Sequence, residues 1–193
     1  PPPPPPPFFF QAEDVIREQP RSRGRGDVYK RQIGEPTEEQ KDRFTRVLKG
    51  HIAIASATFE VKTKGSTLDP LARKSLQDIG CDYDHGTGHG IGSFLSVHEG
   101  PQRIAKSQGL SDGEIREGMI LSNEPGFYKK EEYGIRTENL IIASRVSNKK
   151  LGFETISWAP IDIDLVDINI LSSDEIVWLN NYHQNFSNYS LTI

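Results

Sequence analysis

Asp84-His85-Gly86-Thr87-Gly88-His89-Gly90-Ile91-Gly92-Ser93-Phe94-Leu95-Ser96-Val97-His98-Glu99-Gly100-Pro101 is the stretch on which the reading of this chain turns. It holds three of the five histidines and four glycines between Gly86 and Gly92. Histidine is the commonest metal ligand and the usual proton shuttle near neutral pH. Glycine lets a backbone turn tightly and lets a ligand approach closely. Two readings stand on this segment alone: a functional site, or a glycine-rich loop carrying surface histidines.

Downstream, Met119-Ile120-Leu121-Ser122-Asn123-Glu124 reads as a compact strand ended by Pro125-Gly126. Phe127-Tyr128 and residues 135–143 read as further strands, joined through the charged tip at residues 129–132. Glu138 then falls in mid-strand, where a carboxylate is costly unless it is paired, hydrogen-bonded or on a metal. By period-2 alternation Arg136 and Glu138 share one face. The plain reading is an Arg136–Glu138 ion pair on the wet face of an edge strand. Taken with His89, the two carboxylates Glu124 and Glu138 make a donor set that suits Zn, Mn, Fe or Co. His98 is either a further ligand, an acid/base partner, or a histidine capping the turn at Glu99-Gly100. Cys81 has no local signature of a nucleophile and reads as a small buried hydrophobe.

Upstream, Thr37-Glu38-Glu39-Gln40 matches a capping box. Phe44, Val47, Leu48, His51, Ile52 and Ala55 follow at helical spacing, predicting a helix over 38–57 with His51 in the core. A loop with Gly65 at its turn leads to a second helix carrying Leu68, Leu71, Ala72, Leu76 and Ile79. Pro70 falls in its first turn and Gly80 ends it. Residues 101–117 read as polar loop with a turn at Ser111-Asp112-Gly113. Residues 153–163 read as a strand broken by Pro160. Ser172-Ser173-Asp174-Glu175 opens a terminal helix. Helices followed mostly by strands predict an α+β domain, with helices over one face of an antiparallel sheet.

Residues 1–32 stand apart. Pro1 to Pro7 is a homopolymer, and Arg21-Ser22-Arg23-Gly24-Arg25-Gly26 is basic and without apolar periodicity. Gln11-Ala12-Glu13-Asp14 and Asp27-Val28-Tyr29-Lys30-Arg31-Gln32 back-translate to sequences resembling library adaptors, in adaptor order. Residues 1–32 are therefore expected to be a non-native, disordered tail, with the natural chain beginning near Ile33. The 193 residues suffice for one domain with a core. A net charge of -4 gives no basic footprint for nucleic acid or an anionic membrane. One cysteine excludes an intrachain disulfide, and no apolar run approaches the roughly 20 residues that span a bilayer. A cytoplasmic protein is the expectation.

Four segments carry a resemblance: His85-Gly86-Thr87-Gly88-His89-Gly90-Ile91-Gly92, Val97-His98-Glu99-Gly100-Pro101, Ser122-Asn123-Glu124-Pro125-Gly126-Phe127-Tyr128, and Tyr133-Gly134-Ile135-Arg136-Thr137-Glu138-Asn139-Leu140. In this order they resemble the catalytic domain of Xaa-Pro aminopeptidase (aminopeptidase P). It belongs to the pita-bread superfamily of methionine aminopeptidase, prolidase and creatinase. The resemblance covers roughly residues 33–183. It implies that residues 33–193 are the C-terminal part of a peptidase catalytic domain with an incomplete pita-bread fold. It implies a site holding two divalent ions, Mn by preference and Zn or Co as alternatives. Their ligands would be two aspartates, His89, Glu124 and Glu138, the last bridging. His85 and His98 match the family's catalytic and substrate-binding histidines, and Arg136 is expected on the substrate side. The substrate would be a peptide with proline second, cleaved before the proline, and the full-length protein a homo-oligomer. The family's two aspartates have no counterpart here, because neither Asp14 nor Asp27 lies in an Asp-x-Gly context. This predicts a chain inactive alone. The alternative is a non-catalytic pita-bread module that binds peptides or proteins. A mononuclear hydrolase using only His89, Glu124 and Glu138 is a third reading.

Overall fold

A computed structural model describes residues 35–92, 96–106 and 112–190. The tail at 1–32 and the turn residue Ser111 lie outside the described residues.

The first helix, α1 (Glu38–Ala55), starts where its capping box puts it. Thr37 Oγ1 accepts from the Gln40 N–H at 3.2 Å, and the Thr37 N–H donates to Gln40 Oε1 at 2.8 Å. Glu38 and Glu39 add negative charge against the positive end of the helix dipole. Its apolar stripe, with Phe44, Val47, Leu48, Ile52 and Ile54, is buried, and His51 is buried with it.

A short strand the sequence reading took for loop, β1 (Thr58–Glu60), precedes α2 (Gly65–Gln77). Gly65 is the first helical residue, not a turn, so Pro70 sits in the second turn. The cause is not local. The N-cap residue Lys64 makes no side-chain cap bond. Instead Asp112 accepts from the Ser66 N–H at 3.3 Å and from its hydroxyl at 2.8 Å, across 46 residues of sequence. Beyond the helix, Gly80 takes φ +75°, the left-handed stop expected of it.

The strands are β2 (Gly88–His89), β3 (Arg103–Ile104), β4 (Ile120–Asn123), β5 (Gly126–Lys129), β6 (Tyr133–Arg136), β7 (Asn139–Ser147) and β8 (Lys150–Thr155). An antiparallel sheet runs in the order β1-β8-β7-β4, while β2 pairs with β3 and β5 with β6. After β8 the chain forms two 3-10 turns, Ile163–Leu165 and Ile168–Ile170, where continued strand was expected to 163. Asp162 and Asp167 accept from backbone N–H groups two residues on, which favours turn over strand. The terminal helix, α3 (Ser173–Ser190), opens on the expected box: the Ser172 N–H donates to Glu175 Oε2 at 2.7 Å.

Burial follows the pleat along β7, alternating from Asn139 to Ala143. Leu121, Ile141, Ala143 and Leu151 of the sheet meet Ile54, Leu68 and Ala72 of α1 and α2 in one cluster. The helices therefore cover one sheet face, as the α+β expectation has it. A second cluster joins Phe44, Leu48 and Ile52 of α1 to Leu165, Leu171, Leu179 and Tyr182. Among the described residues no helix is long and apolar enough to cross a membrane.

Candidate metal centre

The site sits where two ladders break together. β4 and β7 pair up to Asn123↔Asn139, and β5 and β6 start again at Gly126↔Arg136. Glu124-Pro125 on one strand and Thr137-Glu138 on the other stand in the gap. Glu138 is thus not in mid-strand, as the sequence pattern suggested. It occupies the break where the chain leaves one sheet for another. The break is held: the Glu124 N–H donates to the Thr87 carbonyl at 2.8 Å, and the Thr137 N–H to the Pro125 carbonyl at 3.3 Å.

β2 brings in the histidine. A Cβ on Gly88 would lie 2.0 Å from the Ser122 carbonyl oxygen, so only glycine allows β2 to approach β4 this closely. The next residue, His89, donates its backbone N–H to Ser122 Oγ at 3.0 Å, and that hydroxyl donates to Glu124 Oε1 at 2.9 Å. Ser122, two residues before Glu124 on one strand, escaped the sequence reading as a site residue. Period-2 spacing is the signal that places both on one side.

His89, Glu124 and Glu138 each offer one ligand atom, and these atoms lie within 4.8 Å of one another. His89 Nδ1 is 3.0 Å from the Gly90 carbonyl oxygen. A carbonyl only accepts, so Nδ1 carries a proton and Nε2 is left to face the carboxylate. Nε2 stands 3.2 Å from Glu124 Oε1. A nitrogen and a carboxylate oxygen this close need a proton or a cation between them. Ligand bonds of about 2.0–2.2 Å at roughly right angles put two donors about 3 Å apart. The residues present fit a divalent ion.

Arg136 crosses the pocket. Its Nη1 is 3.0 Å from Glu124 Oε2 and 4.0 Å from Glu138 Oε2. The ion pair expected with Glu138 is therefore closer with Glu124. Burial raises the Glu124 carboxyl pKa, but His89, the Arg136 charge and the Ser122 hydroxyl outweigh it and hold the group below the usual carboxylate range.

His98 is exposed and its ring centroid lies 4.1 Å from that of His89, at 52°. His85 lies deeper. Its Nδ1 faces the Gly86 carbonyl at 2.7 Å, and its Nε2 meets the Tyr128 hydroxyl at 2.9 Å. Tyr128 in turn accepts from Arg136 Nε at 2.9 Å. Burial, with the charges of Arg136 and Arg73, lowers the His85 pKa against the Gly86 carbonyl and Glu124. Burial likewise raises that of Tyr128. A neutral His85 protonated on Nδ1 and a tyrosine donating to Nε2 satisfy every partner. Tyr128, within the Ser122–Tyr128 segment, is a site contact to which nothing in the local sequence points. Cys81 is half-buried and forms no disulfide, packing against the cluster of Val47, Leu76, Tyr83 and Phe127 as a small hydrophobe.

Residues 29–145 match metallopeptidase family M24, and residues 149–188 match the C-terminal region of the same peptidases. A probable Xaa-Pro aminopeptidase P of Laccaria bicolor is 45% identical over 158 residues, 78% of this chain and 25% of that protein. Aminopeptidase P2 of Arabidopsis thaliana is 47% identical over 158 residues, covering 78% of this chain and 22% of its own. The crystal structure of an X-prolyl aminopeptidase from Caenorhabditis elegans, described as a cytosolic enzyme with a di-nuclear active site, superposes with a TM-score of 0.74. It is 42% identical, covering 79% of this chain and 25% of that one. The chain thus spans about a quarter of the length of these relatives.

Proposed function

The chain belongs to metallopeptidase family M24 and carries part of its pita-bread fold, and from that premise we propose that it is a segment of a metal-dependent, cytoplasmic aminopeptidase that releases the residue preceding proline. One observation carries the reading: His89 Nε2 faces the Glu124 carboxylate at 3.2 Å, with Glu138 closing the set. His89, Glu124 and Glu138 are the proposed ligands, and Mn the proposed metal. When bound, the metal supplies Lewis acidity, polarising a scissile carbonyl and making water a better nucleophile at neutral pH.

The remaining steps belong to side chains. Arg136 pairs with Glu124, helping to hold that carboxylate ionised, and lies beside Glu138, where it borders the substrate. A prolyl nitrogen carries no hydrogen, so selection before proline rests on shape and on the carbonyl, not on an N–H contact. His85, kept neutral by burial and held by Tyr128, presents a fixed ring to the substrate. His98, exposed beside His89, has the solvent access needed to pass a proton to the departing prolyl nitrogen.

The test is hydrolysis of an Xaa-Pro peptide in the presence of Mn. A chain extended upstream to include the aspartate-bearing segment implied by the family should release the first residue, and Glu138→Ala in it should abolish turnover. The 193-residue chain alone should release none. Equal turnover with and without Glu138 would contradict the assignment. Peptide binding with no metal dependence would favour a non-catalytic module.

A further inference from the structure

His85 is carried by the segment between α2 and β2, residues 78–87, which has no regular element of its own. A single guanidinium accounts for much of its placement. Asp69 and Arg73 lie one turn apart on α2, and both are buried. An i,i+4 ion pair on a helix normally sits on the wet face and contributes a few tenths of a kcal/mol. Buried, it costs more than it returns unless every donor and acceptor is satisfied.

Here all five N–H donors of Arg73 are used. Nε donates to Asp69 Oδ2 at 2.6 Å. Nη2 donates to Asp69 Oδ1 at 3.2 Å and to the His85 carbonyl at 2.7 Å. Nη1 donates to Asp82 Oδ1 and to the Tyr83 carbonyl, each at 2.7 Å. Asp69 Oδ1 also accepts from Thr87 Oγ1 at 2.6 Å, and that oxygen lies 2.5 Å from the Tyr83 hydroxyl. The guanidinium lies 4.0 Å over the Tyr83 ring, whose centroid is 4.8 Å from that of His85. Two backbone carbonyls, a carboxylate and an aromatic face of this segment are thus tied to one side chain of α2.

We infer that Arg73, seated on Asp69, is a positioning residue that sets the path of residues 82–87 and so the contact of His85 Nε2 with Tyr128. The inference rests on the reading above for why His85 must be placed, but not for the contacts themselves. Lysine cannot replace the arginine: its three donors radiate from one atom and cannot span Asp69, Asp82 and two carbonyls in a plane.

Nitrogen-15 NMR of the 193-residue chain tests this. In the unsubstituted chain the Arg73 Nη protons should give separate, slowly exchanging signals, and His85 should show the Nδ1–H tautomer alone. In Arg73→Lys, amides of residues 82–87 should exchange at least about tenfold faster, the equivalent of one lost charge-assisted hydrogen bond. Amides of α1 and β7 should keep their rates, and the His85 nitrogens should shift towards a tautomer average. Unchanged His85 signals and exchange rates in folded Arg73→Lys would overturn the inference. So would averaged Arg73 Nη signals in the unsubstituted chain, a result independent of whether any variant folds. A parallel Mn titration separates the two readings, because failure to bind metal would remove the proposed function and leave these signals in place.

Discussion

Acidification below pH 6.5 should destabilise the fold through His51 before the carboxylates titrate. Both ring nitrogens of His51 are buried without a partner in hydrogen-bonding geometry, and Trp178 packs edge-on at 6.0 Å. Burial lowers its pKa from 6.5 to about 4, against smaller opposing contributions from the Asn139 side chain and the Asn123 and Thr137 backbone. Above pH 6.5 the ring is neutral in folded and unfolded chains alike, and the site contributes no pH dependence. Below it the unfolded chain binds a proton that the folded chain refuses, so stability falls as pH falls and levels off near the folded pKa. At 1.36 kcal/mol per pH unit of displacement, about 2.5 kcal/mol is lost between pH 7.5 and 4.5. His85, lowered in the same direction, adds to the slope. Urea unfolding followed by tryptophan fluorescence at pH 7.5, 6.5, 5.5 and 4.5 reads the effect. Each chain is referenced to its own stability at pH 7.5. His51→Gln should lose most of the slope between 6.5 and 4.5. A slope equal to that of the unsubstituted chain would refute the argument.

Thr37→Ala removes the hydroxyl that caps α1 and should cost about 1 kcal/mol in the same urea assay. Ser122→Ala removes the hydroxyl linking the His89 N–H to Glu124, and Mn affinity measured by calorimetry should fall about tenfold while the fold persists.

Local chemistry in the sequence reached far into this fold. The box at Thr37 and Gln40 and the core position of His51 each depend on residues within a turn or two, and each appears in the structure. The misplacements share one cause. α2 starts at Gly65 because Asp112, remote in sequence, caps Ser66. Glu138 looks like mid-strand because residues 135–143 read as one strand, yet that segment pairs with β5 on one side of the glutamate and with β4 on the other. Only strand pairing reveals the break. The site histidines were visible from glycine spacing. Asp69 and Arg73 were visible only as a helix-spaced pair, and nothing local says that the pair is buried or that it faces residues 82–87.

The central claim is that His89, Glu124 and Glu138 share one divalent ion. Its most direct test is Mn binding to the 193-residue chain, followed by electron paramagnetic resonance, beside Glu138→Ala, Glu124→Ala and His98→Ala. The account predicts a single weak Mn site, abolished by either glutamate substitution and kept when His98 is replaced. Mn binding that survives Glu124→Ala and Glu138→Ala unchanged would contradict it.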